Sequence, residues 1–399
     1  MDKPDKDGAH PVRKEANVSE VTSIKRYKRI DPQQARDGAD SHKCLVCTET
    51  ANYLCTHCEV SQYCSLQHMR TDTIHPKVCD HLAFLNRKQE LLPRKEDREQ
   101  QLKQNKLQKL GLASKMKEMA LQMRLEDADQ QAKLACTYSY KIYSDILGPS
   151  SDSSLDVLVL YIVCCIKLHQ CPEAEACVAE VKKHLSESTT STFSVKADLE
   201  KIQGLLQVAK GNAMEALSHF TKEVYFAAYA YGKKHVLATG SLTRLGSSFL
   251  QMGKPSVADS LYRKAVEAWV QYLEKKVFEH ETMEMQSRFV DVVHLKTEAM
   301  ELKVKLEAKD TLTAIYKDRR FAKVQTMRNN MAMTCYANGM FAYVSERYIQ
   351  AYHFVNEALL YCKKDSWVNL TVAVTNFYKL CKRKGARDVR SFLVMDSNP

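Results

Sequence analysis

The sequence contains few residues that interrupt helices. Its 399 residues include only 12 glycines and 9 prolines, while Ala, Leu, Lys, Glu, Gln and Met recur throughout. Glycine and proline are the least favourable residues inside a helix, so their scarcity favours helix over sheet. The chain is also too long for one ordinary core, which indicates two or three structural units.

Long hydrophobic runs are absent as well. The longest, LDVLVLYIVCCI at 155–166, is much shorter than the roughly 20 residues that span a bilayer. The first twenty residues are charged and offer no hydrophobic stretch for a secretory signal. We therefore expect a cytoplasmic protein without a membrane partner, whose cysteines stay reduced or bind metal.

Acidic residues are fewer than basic residues, and the net charge is +11. Basic residues cluster at 25–29, 103–109 and 379–390. Such clusters can meet nucleic acid, anionic lipid or an acidic protein surface, and the alternative is that they are solvated faces and tails. No nucleic-acid-binding motif accompanies them, so we expect no nucleic acid as partner.

Sequence motifs of common catalytic sites are missing too. The chain contains no G-x-S-x-G, no P-loop, no G-x-G-x-x-G and no H-E-x-x-H. We therefore predict a protein that is not an enzyme, with no catalytic residues and no organic cofactor.

What the sequence does contain is a dense Cys/His segment, CLVCTETANYLCTHCEVSQYCSLQHMRTDTIHPKVC, at 44–79. Its spacing is C-x2-C, seven residues, C-x2-C, five residues, C-x3-H, six residues, H-x3-C. Zinc prefers four Cys or His ligands in a tetrahedron, so eight ligands predict two zinc ions. A segment of this size cannot bury enough apolar area to fold alone, and each structural zinc would supply on the order of 10 kcal/mol.

Short loops between successive ligand pairs favour an interleaved arrangement of the two ions. The first ion is assigned Cys44, Cys47, Cys64 and His68. The second ion is assigned Cys55, Cys58, His75 and Cys79. His57 and His42 are nearby substitutes for His68. Because protein side chains fill every position, these zinc ions are predicted to be structural.

This order of ligands, with Tyr63 directly before Cys64, resembles the MYND finger; a RING finger would need a longer first loop. The resemblance implies a protein-interaction module, and many such fingers bind short proline-containing peptides. Their peptide groove usually includes a Gln just after the sixth ligand and a Trp a few residues on. This chain has Met69 and Thr73 at those places.

Small residues recur at a fixed period after the finger. Ala132, Ala174, Ala216 and Ala258 lie 42 residues apart. Twelve residues before each alanine stand Ala120, Ile162, Gly204 and Gly246, and four residues after each stand Cys136, Val178, Phe220 and Tyr262. The unit LGSSFLQMGKPSVADSLYRKAV resembles the tetratricopeptide repeat, and the long period resembles the repeats of kinesin light chain. The predicted fold is all-α: a helical-repeat solenoid carrying a small two-zinc finger. The alternative is a non-repeating helical bundle.

The predicted domains follow from these patterns. They are a disordered charged tail at 1–42, the finger at 43–80, a charged helical connector at 81–110 that is broken near Pro93, and the repeat array at 111–385. Gly148 and Gly232 are expected to end second helices. After residue 266 the period slips into one or two long helices before Gly339 restores it. A last helix at about 366–384 would cap the array.

The aromatic residues of the repeats are interpreted as core: Tyr138, Tyr140, Tyr143, Tyr225, Phe226, Tyr229 and Tyr231.

The combination of finger and array, above all the stretch 205–273, resembles the zinc finger MYND domain-containing protein 12 family. The resemblance implies a non-enzymatic axonemal component of motile cilia and flagella. Its partners would be another tetratricopeptide protein and components associated with dynein arms. The alternative is a soluble cytosolic or nuclear adaptor whose finger captures a proline-containing peptide. Lysine methyltransferases that carry a MYND finger also need a β-rich SET domain, and its motifs are absent here.

Overall fold

A computed structural model describes residues 27–30, 43–47, 49–87, 94–187, 192–287, 302–322, 325–365 and 368–395. The chain divides into two compact units, at 1–112 and 113–399. Apart from three short strands, the described elements are helices, and the predicted all-α solenoid is confirmed.

The first unit contains a three-stranded antiparallel sheet in the order β1-β2-β3. Its strands are β1 (Tyr27–Arg29), β2 (Tyr53–Cys55) and β3 (Gln62–Tyr63), followed by helices α1 (Leu66–Thr71) and α2 (His75–Asn86). In β1, Tyr27 lies opposite Cys55.

Strand β1 corrects the prediction that the tail is disordered through residue 42. That prediction is wrong for residues 27–30, because β1 hydrogen-bonds to β2 and Ile30 N–H donates to Asn52 O at 2.9 Å. The rest of the tail lies outside the described residues. Helix α2 also continues past the predicted end of the finger at residue 80, because Leu82 and Ala83 are buried on the same helix as the ligands.

The remaining helices, in chain order, are α3 (Lys95–Leu125), α4 (Asp129–Leu147), α5 (Asp152–Lys167), α6 (Cys171–Glu187), α7 (Phe193–Lys210), α8 (Ala213–Tyr231), α9 (Thr239–Gln251), α10 (Pro255–Ser287), α11 (Leu302–Phe321), α12 (Gln325–Asn329), α13 (Met331–Val344), α14 (Tyr348–Asp365) and α15 (Val368–Met395). A 3-10 turn, Val236–Ala238, precedes α9. The charged connector is helical where it is described, in α2 and α3. Pro93, its predicted break, lies outside the described residues.

The 42-residue period appears directly as helix starts. Helices α4, α6, α8 and α10 begin at Asp129, Cys171, Ala213 and Pro255, and the periodic alanine is the fourth residue of each. All four alanines are fully buried. The repeats are therefore helix pairs, and the alternative of a non-repeating bundle is wrong.

Glycines sit where the two helices of a pair come closest. A Cβ atom added at Gly204 would lie 2.4 Å from the ring of Phe220, and one added at Gly246 would lie 2.5 Å from the ring of Tyr262. Gly339 repeats this arrangement in the last pair, where the added atom would lie 2.5 Å from Val355. Only a residue without a side chain permits these approaches.

Helix ends and the last pair also follow the predicted pattern. Gly148 and Gly232 end α4 and α8 with φ of 89° and 94°. Helix α10 packs on α13, so the array continues past the inserted helices α11 and α12. Helix α15 packs on α14 as the predicted cap, and it begins at Val368 and extends to Met395.

The prediction that the aromatic residues are core is confirmed for Tyr138 and Tyr143, which are buried. It is wrong for Tyr225 and Tyr229 of α8, which are more than half exposed. Among the described helices, none combines the length and apolar character needed to cross a membrane.

Candidate metal centres and the groove of the array

The first predicted ligand set comes together beside the turn after Cys44. The Cys47 and Cys64 Sγ atoms are 3.6 Å apart, and His68 Nδ1 lies 3.2 Å from Cys64 Sγ and 3.6 Å from Cys44 Sγ. All four ligand atoms lie within 4.8 Å of one another.

The second set lies between β2 and α2. The Cys55 and Cys79 Sγ atoms are 3.7 Å apart, and Cys58 Sγ is 3.4 Å from His75 Nε2. These four residues are all buried, and their ligand atoms also lie within 4.8 Å of one another. The structure thus brings together the same two interleaved sets that the spacing predicts.

These distances fit the edges of a zinc tetrahedron. With metal–sulfur bonds of about 2.3 Å, two sulfur ligands lie about 3.8 Å apart, and a sulfur and a nitrogen ligand lie slightly closer. Three sulfur atoms and one imidazole nitrogen form a donor set that is typical of structural zinc sites. Each cluster could therefore hold one zinc ion in a closed site.

Local hydrogen bonds place the histidines. Ser65 caps α1, and its Oγ accepts from His68 N–H at 3.3 Å, which orients the first turn of the helix. Asp72 Oδ1 accepts from the N–H groups of Ile74 and His75, both at 2.9 Å, and its Oδ2 accepts from Tyr63 OH at 2.8 Å. The buried Asp72 carboxylate thus joins β3 to the start of α2 and sets the position of His75.

Tyr27 is a supporting residue that the sequence analysis missed. Its hydroxyl lies 2.8 Å from His75 Nδ1, the ring nitrogen that faces away from the cysteines. When Nε2 binds a metal, Nδ1 carries the proton and donates to the Tyr27 oxygen, which fixes the ring orientation. Residues 27–30 contain no Cys or His and lie far from the ligands in sequence, so nothing in the local pattern could have identified this contact.

The surroundings of Cys44 favour its thiolate form. Burial raises the pKa of the Cys44 thiol, but hydrogen bonds from the backbone N–H groups of Cys64, Val46 and Cys47 and from His68 lower it to about 7. Because the thiolate is the form that binds metal, these hydrogen bonds favour metal binding at Cys44, whereas burial raises the pKa of Cys47 in the same cluster to about 12.

The substitutes for His68 do not take its place. His57 Nε2 pairs with the exposed Asp80 carboxylate at 2.9 Å, and His57 belongs to neither cluster. His42 lies outside the described residues. Met69, at the usual place of the groove glutamine, is buried within the finger, while Thr73 is exposed.

In the second unit, the first helices of the pairs line a groove, and helix α11 lies along it. The groove is formed by side chains of α3, α5, α7 and α9. Lys303 of α11 pairs with Asp156 of α5 at 3.3 Å, and Asp310 pairs with Arg124 of α3 at 3.5 Å. Helix α11 therefore contacts helix pairs that are not its neighbours along the array.

Further contacts extend along α11. Lys309 Nζ donates to Leu125 O, at the last residue of α3, at 2.8 Å, where a cation also complements the helix dipole. Near its C-terminus, Asp318 accepts from Ser247 Oγ of α9 at 2.9 Å. The opposite face of α11, including Ala308 and Leu312, is buried in the C-terminal core.

A cavity of about 1080 Å³ remains between α11 and the floor of the groove. Its lining is mixed: Val159, Val163 and Leu205 are apolar, while Lys201 and Arg244 are basic. The chain's own helix thus closes over much of the surface that an open array of this kind would present.

No protein-family model matches the chain. Among solved structures, the chain is similar to BtubC (BKLC) from P. vanneervenii, with 12% sequence identity and a TM-score of 0.29. The match covers 63% of this chain and 91% of that chain. A similarity this distant supports no conclusion about function.

Proposed function

We propose that the chain is a non-enzymatic scaffold of motile cilia and flagella, with two structural zinc ions in its finger and a helical-repeat array that binds other proteins. The partners would be another tetratricopeptide protein and components associated with dynein arms. The ciliary part of the proposal comes only from the family resemblance, which is carried by the combination of finger and array and above all by stretch 205–273.

The two closed ligand clusters are the observation that best supports a scaffold. Each cluster supplies four protein ligands, so a bound zinc ion would have no open position for water or substrate. A metal held in this way stabilises a small fold, as expected for a module with little core of its own.

The array supports the other half of the proposal. Stacked helix pairs present a long surface made of many repeats, and proteins with this architecture commonly use such surfaces to hold partners. Because α11 covers much of the groove, we expect partners to bind the outer faces of the helix pairs.

Extraction of ciliated cells tests the proposal. After treatment with detergent and high salt, the full-length protein should remain in the axonemal pellet together with axonemal tubulin. Complete release into the soluble fraction would contradict an axonemal role and favour the adaptor hypothesis, in which the finger binds a peptide. The burial of Met69 at the usual peptide groove does not favour that hypothesis.

A further inference from the structure

A row of aromatic rings, three of them exposed, lies where the start of α7 meets the C-terminal half of α8. We call Phe193, Tyr225, Phe226 and Tyr229 the aromatic surface. Phe193 stacks on Tyr229 at a centroid distance of 5.3 Å, and Tyr225 contacts Tyr229 at 4.8 Å. The exposed fractions of Phe193, Tyr225 and Tyr229 are 45%, 55% and 62%.

The aromatic surface packs against buried residues of the third helix pair and of the turn that follows it. Phe226 packs against the buried Ala197, Ala227 and Ala238, and its ring lies 6.3 Å from that of Phe193. Helices α7 and α8 form one of the closest pairs in the array, since Gly204 lets Phe220 approach the α7 backbone. The two helices that carry the exposed rings are therefore held together before any partner binds, which lowers the entropy cost of binding.

Lysines surround these rings. Lys196 Nζ lies 5.6 Å from the centroid of Phe193. Lys222 is exposed one turn before Tyr225 on α8, and the exposed Lys233 and Lys234 follow the end of that helix. Within the described part of the chain, Lys222, Lys233 and Lys234 form no ion pair.

Most acidic side chains of the same two helices are engaged elsewhere. Glu200 pairs with His219 at 2.7 Å, and Glu223 is buried against Arg244. Asp198 lines the cavity under α11. Glu215 is exposed, but it lies two turns before Lys222, at the start of α8. The aromatic surface is therefore bordered by positive charge.

The arrangement of the rings indicates which kind of ligand suits them. Because the rings contact one another, part of their faces is covered, and the hydroxyls of Tyr225 and Tyr229 interact with each other, so the ring edges remain available. The edge of an aromatic ring carries partial positive charge and attracts carboxylates, whereas a nucleic-acid base needs an open ring face on which to stack. Ring edges and lysines together complement a chain of carboxylates.

We propose that the aromatic surface binds an acidic, extended peptide segment of a partner protein. This proposal rests on the scaffold function in one respect, namely that the ligand is a protein. It adds which surface of the array binds that protein and by what chemistry.

Fluorescence anisotropy with the full-length, zinc-loaded protein tests this proposal. The probe is a fluorescein-labelled, glutamate-rich synthetic peptide with one phenylalanine, compared with a neutral peptide of equal length. Tyr225→Ser combined with Tyr229→Ser should weaken binding of the acidic peptide about tenfold or more. Lys222→Glu combined with Lys233→Glu should weaken it similarly and reduce its dependence on salt.

Matched controls use exposed residues of the same types on α10. Phe278→Ser and Lys264→Glu should leave the affinity unchanged, because both side chains are exposed away from α7 and α8. Tyr225→Phe keeps the ring edge and should retain most of the binding. Unchanged thermal midpoints would show that the variants remain folded.

Several outcomes would overturn the proposal. They are equal binding of the acidic and neutral peptides, equal weakening by the α10 controls, or tighter binding of a fluorescein-labelled oligo-dT. A dimer in solution that the Tyr225→Ser and Tyr229→Ser variant dissociates would instead assign the surface to a second copy of the chain. If extraction releases the protein from the axonemal pellet but the protein still binds the acidic peptide, the ciliary role is rejected and the aromatic surface remains a peptide-binding surface.

Discussion

In the helix pairs that cross at Gly204, Gly246 and Gly339, the residue at the closest approach has no side chain. The ring of Tyr262 occupies the space beside Gly246, as that of Phe220 does beside Gly204. Because Tyr262 is fully buried, it has little room to move away from an added atom. The closest contacts of the array thus depend on individual glycines.

Gly246→Ala should lower the free energy of unfolding by about 1–3 kcal/mol, because the new methyl group overlaps the Tyr262 ring. Gly111→Ala is the matched control: Gly111 is helical and has no neighbouring atom within 4 Å of an added Cβ. It should stabilise the chain by about 0.5–1 kcal/mol. Urea unfolding measures both, and equal effects of the two substitutions would refute this account of the crossing.

Arg319 shows how one buried charge depends on its partner. It is 1% exposed, and its Nη2 donates to Asp259 Oδ1 at 2.7 Å while its Nη1 donates to Thr334 Oγ1 at 2.6 Å. Asn330 Nδ2 also donates to the Asp259 carboxylate, at 2.6 Å. The network joins α10, α11 and α13.

Arg319→Leu should cost about 3–5 kcal/mol of stability, because it leaves the Asp259 carboxylate buried without its cation. Adding Asp259→Leu should recover much of that loss, since no unpaired charge then remains. The control is Arg320→Leu, which changes an exposed neighbour and should shift stability by no more than about 0.5 kcal/mol. If the double variant is as unstable as the single one, the buried charge is not the cause.

The sequence predicted the metal-ligand clusters far better than it predicted the residues that position those ligands. Cysteine and histidine spacing limits how ligands can share an ion, so both sets could be proposed from sequence. Tyr27 could not, because its contact with His75 depends on a strand pairing between residues far apart in sequence. The exposure of Tyr225 and Tyr229 was missed as well, because a helical pattern does not show which apolar face lacks a neighbouring helix.

At the scale of elements, the finger and the helical array have different sources of stability. The finger has short strands and two small helices around its clusters, whereas the array has several buried hydrophobic clusters, the largest of which includes Trp269, Leu312 and Tyr343. Metal binding should therefore matter to the finger and much less to the helices of the array.

EDTA, or Cys55→Ser combined with Cys58→Ser, should unfold the finger while most of the helical circular dichroism remains. Metal analysis of the untreated protein should find two zinc ions per chain, as the two clusters predict. Cys171→Ser combined with Cys177→Ser, two half-buried cysteines of α6, should leave the zinc content unchanged. Loss of the whole helical signal with EDTA would mean that finger and array fold together, and a single zinc ion would contradict the ligand sets.

Helix pairs could be predicted from the sequence because small residues recur at the same spacing wherever two helices cross. The position of α11 could not, since a charged helix is equally compatible with a solvated surface. Its charges become informative only when Asp156 and Arg124, on distant helices, are seen to face it.

At the scale of the whole molecule, α11 changes how the array is expected to unfold. Repeat arrays are stabilised mainly by contacts between neighbours, so separate parts can unfold independently. Helix α11 links α3, α5 and α9 directly, through Asp310, Lys303 and Asp318.

Glu307→Lys combined with Asp310→Lys should therefore broaden urea unfolding of the array and lower its m-value, because the α3 and α9 pairs lose favourable partners on α11. Lys317→Glu, an exposed charge reversal on the same helix, serves as control and should preserve one steep transition. Equally steep transitions in all three proteins would show that α11 does not couple the pairs.

The internal position of α11 also has a mechanical consequence. A stack of helix pairs in which each pair contacts only its neighbours can bend at every interface between pairs. Helix α11 contacts pairs that are not adjacent, and these contacts restrict such bending. The protein should transmit a pull or a push from one end of the array to the other with little change in its own length.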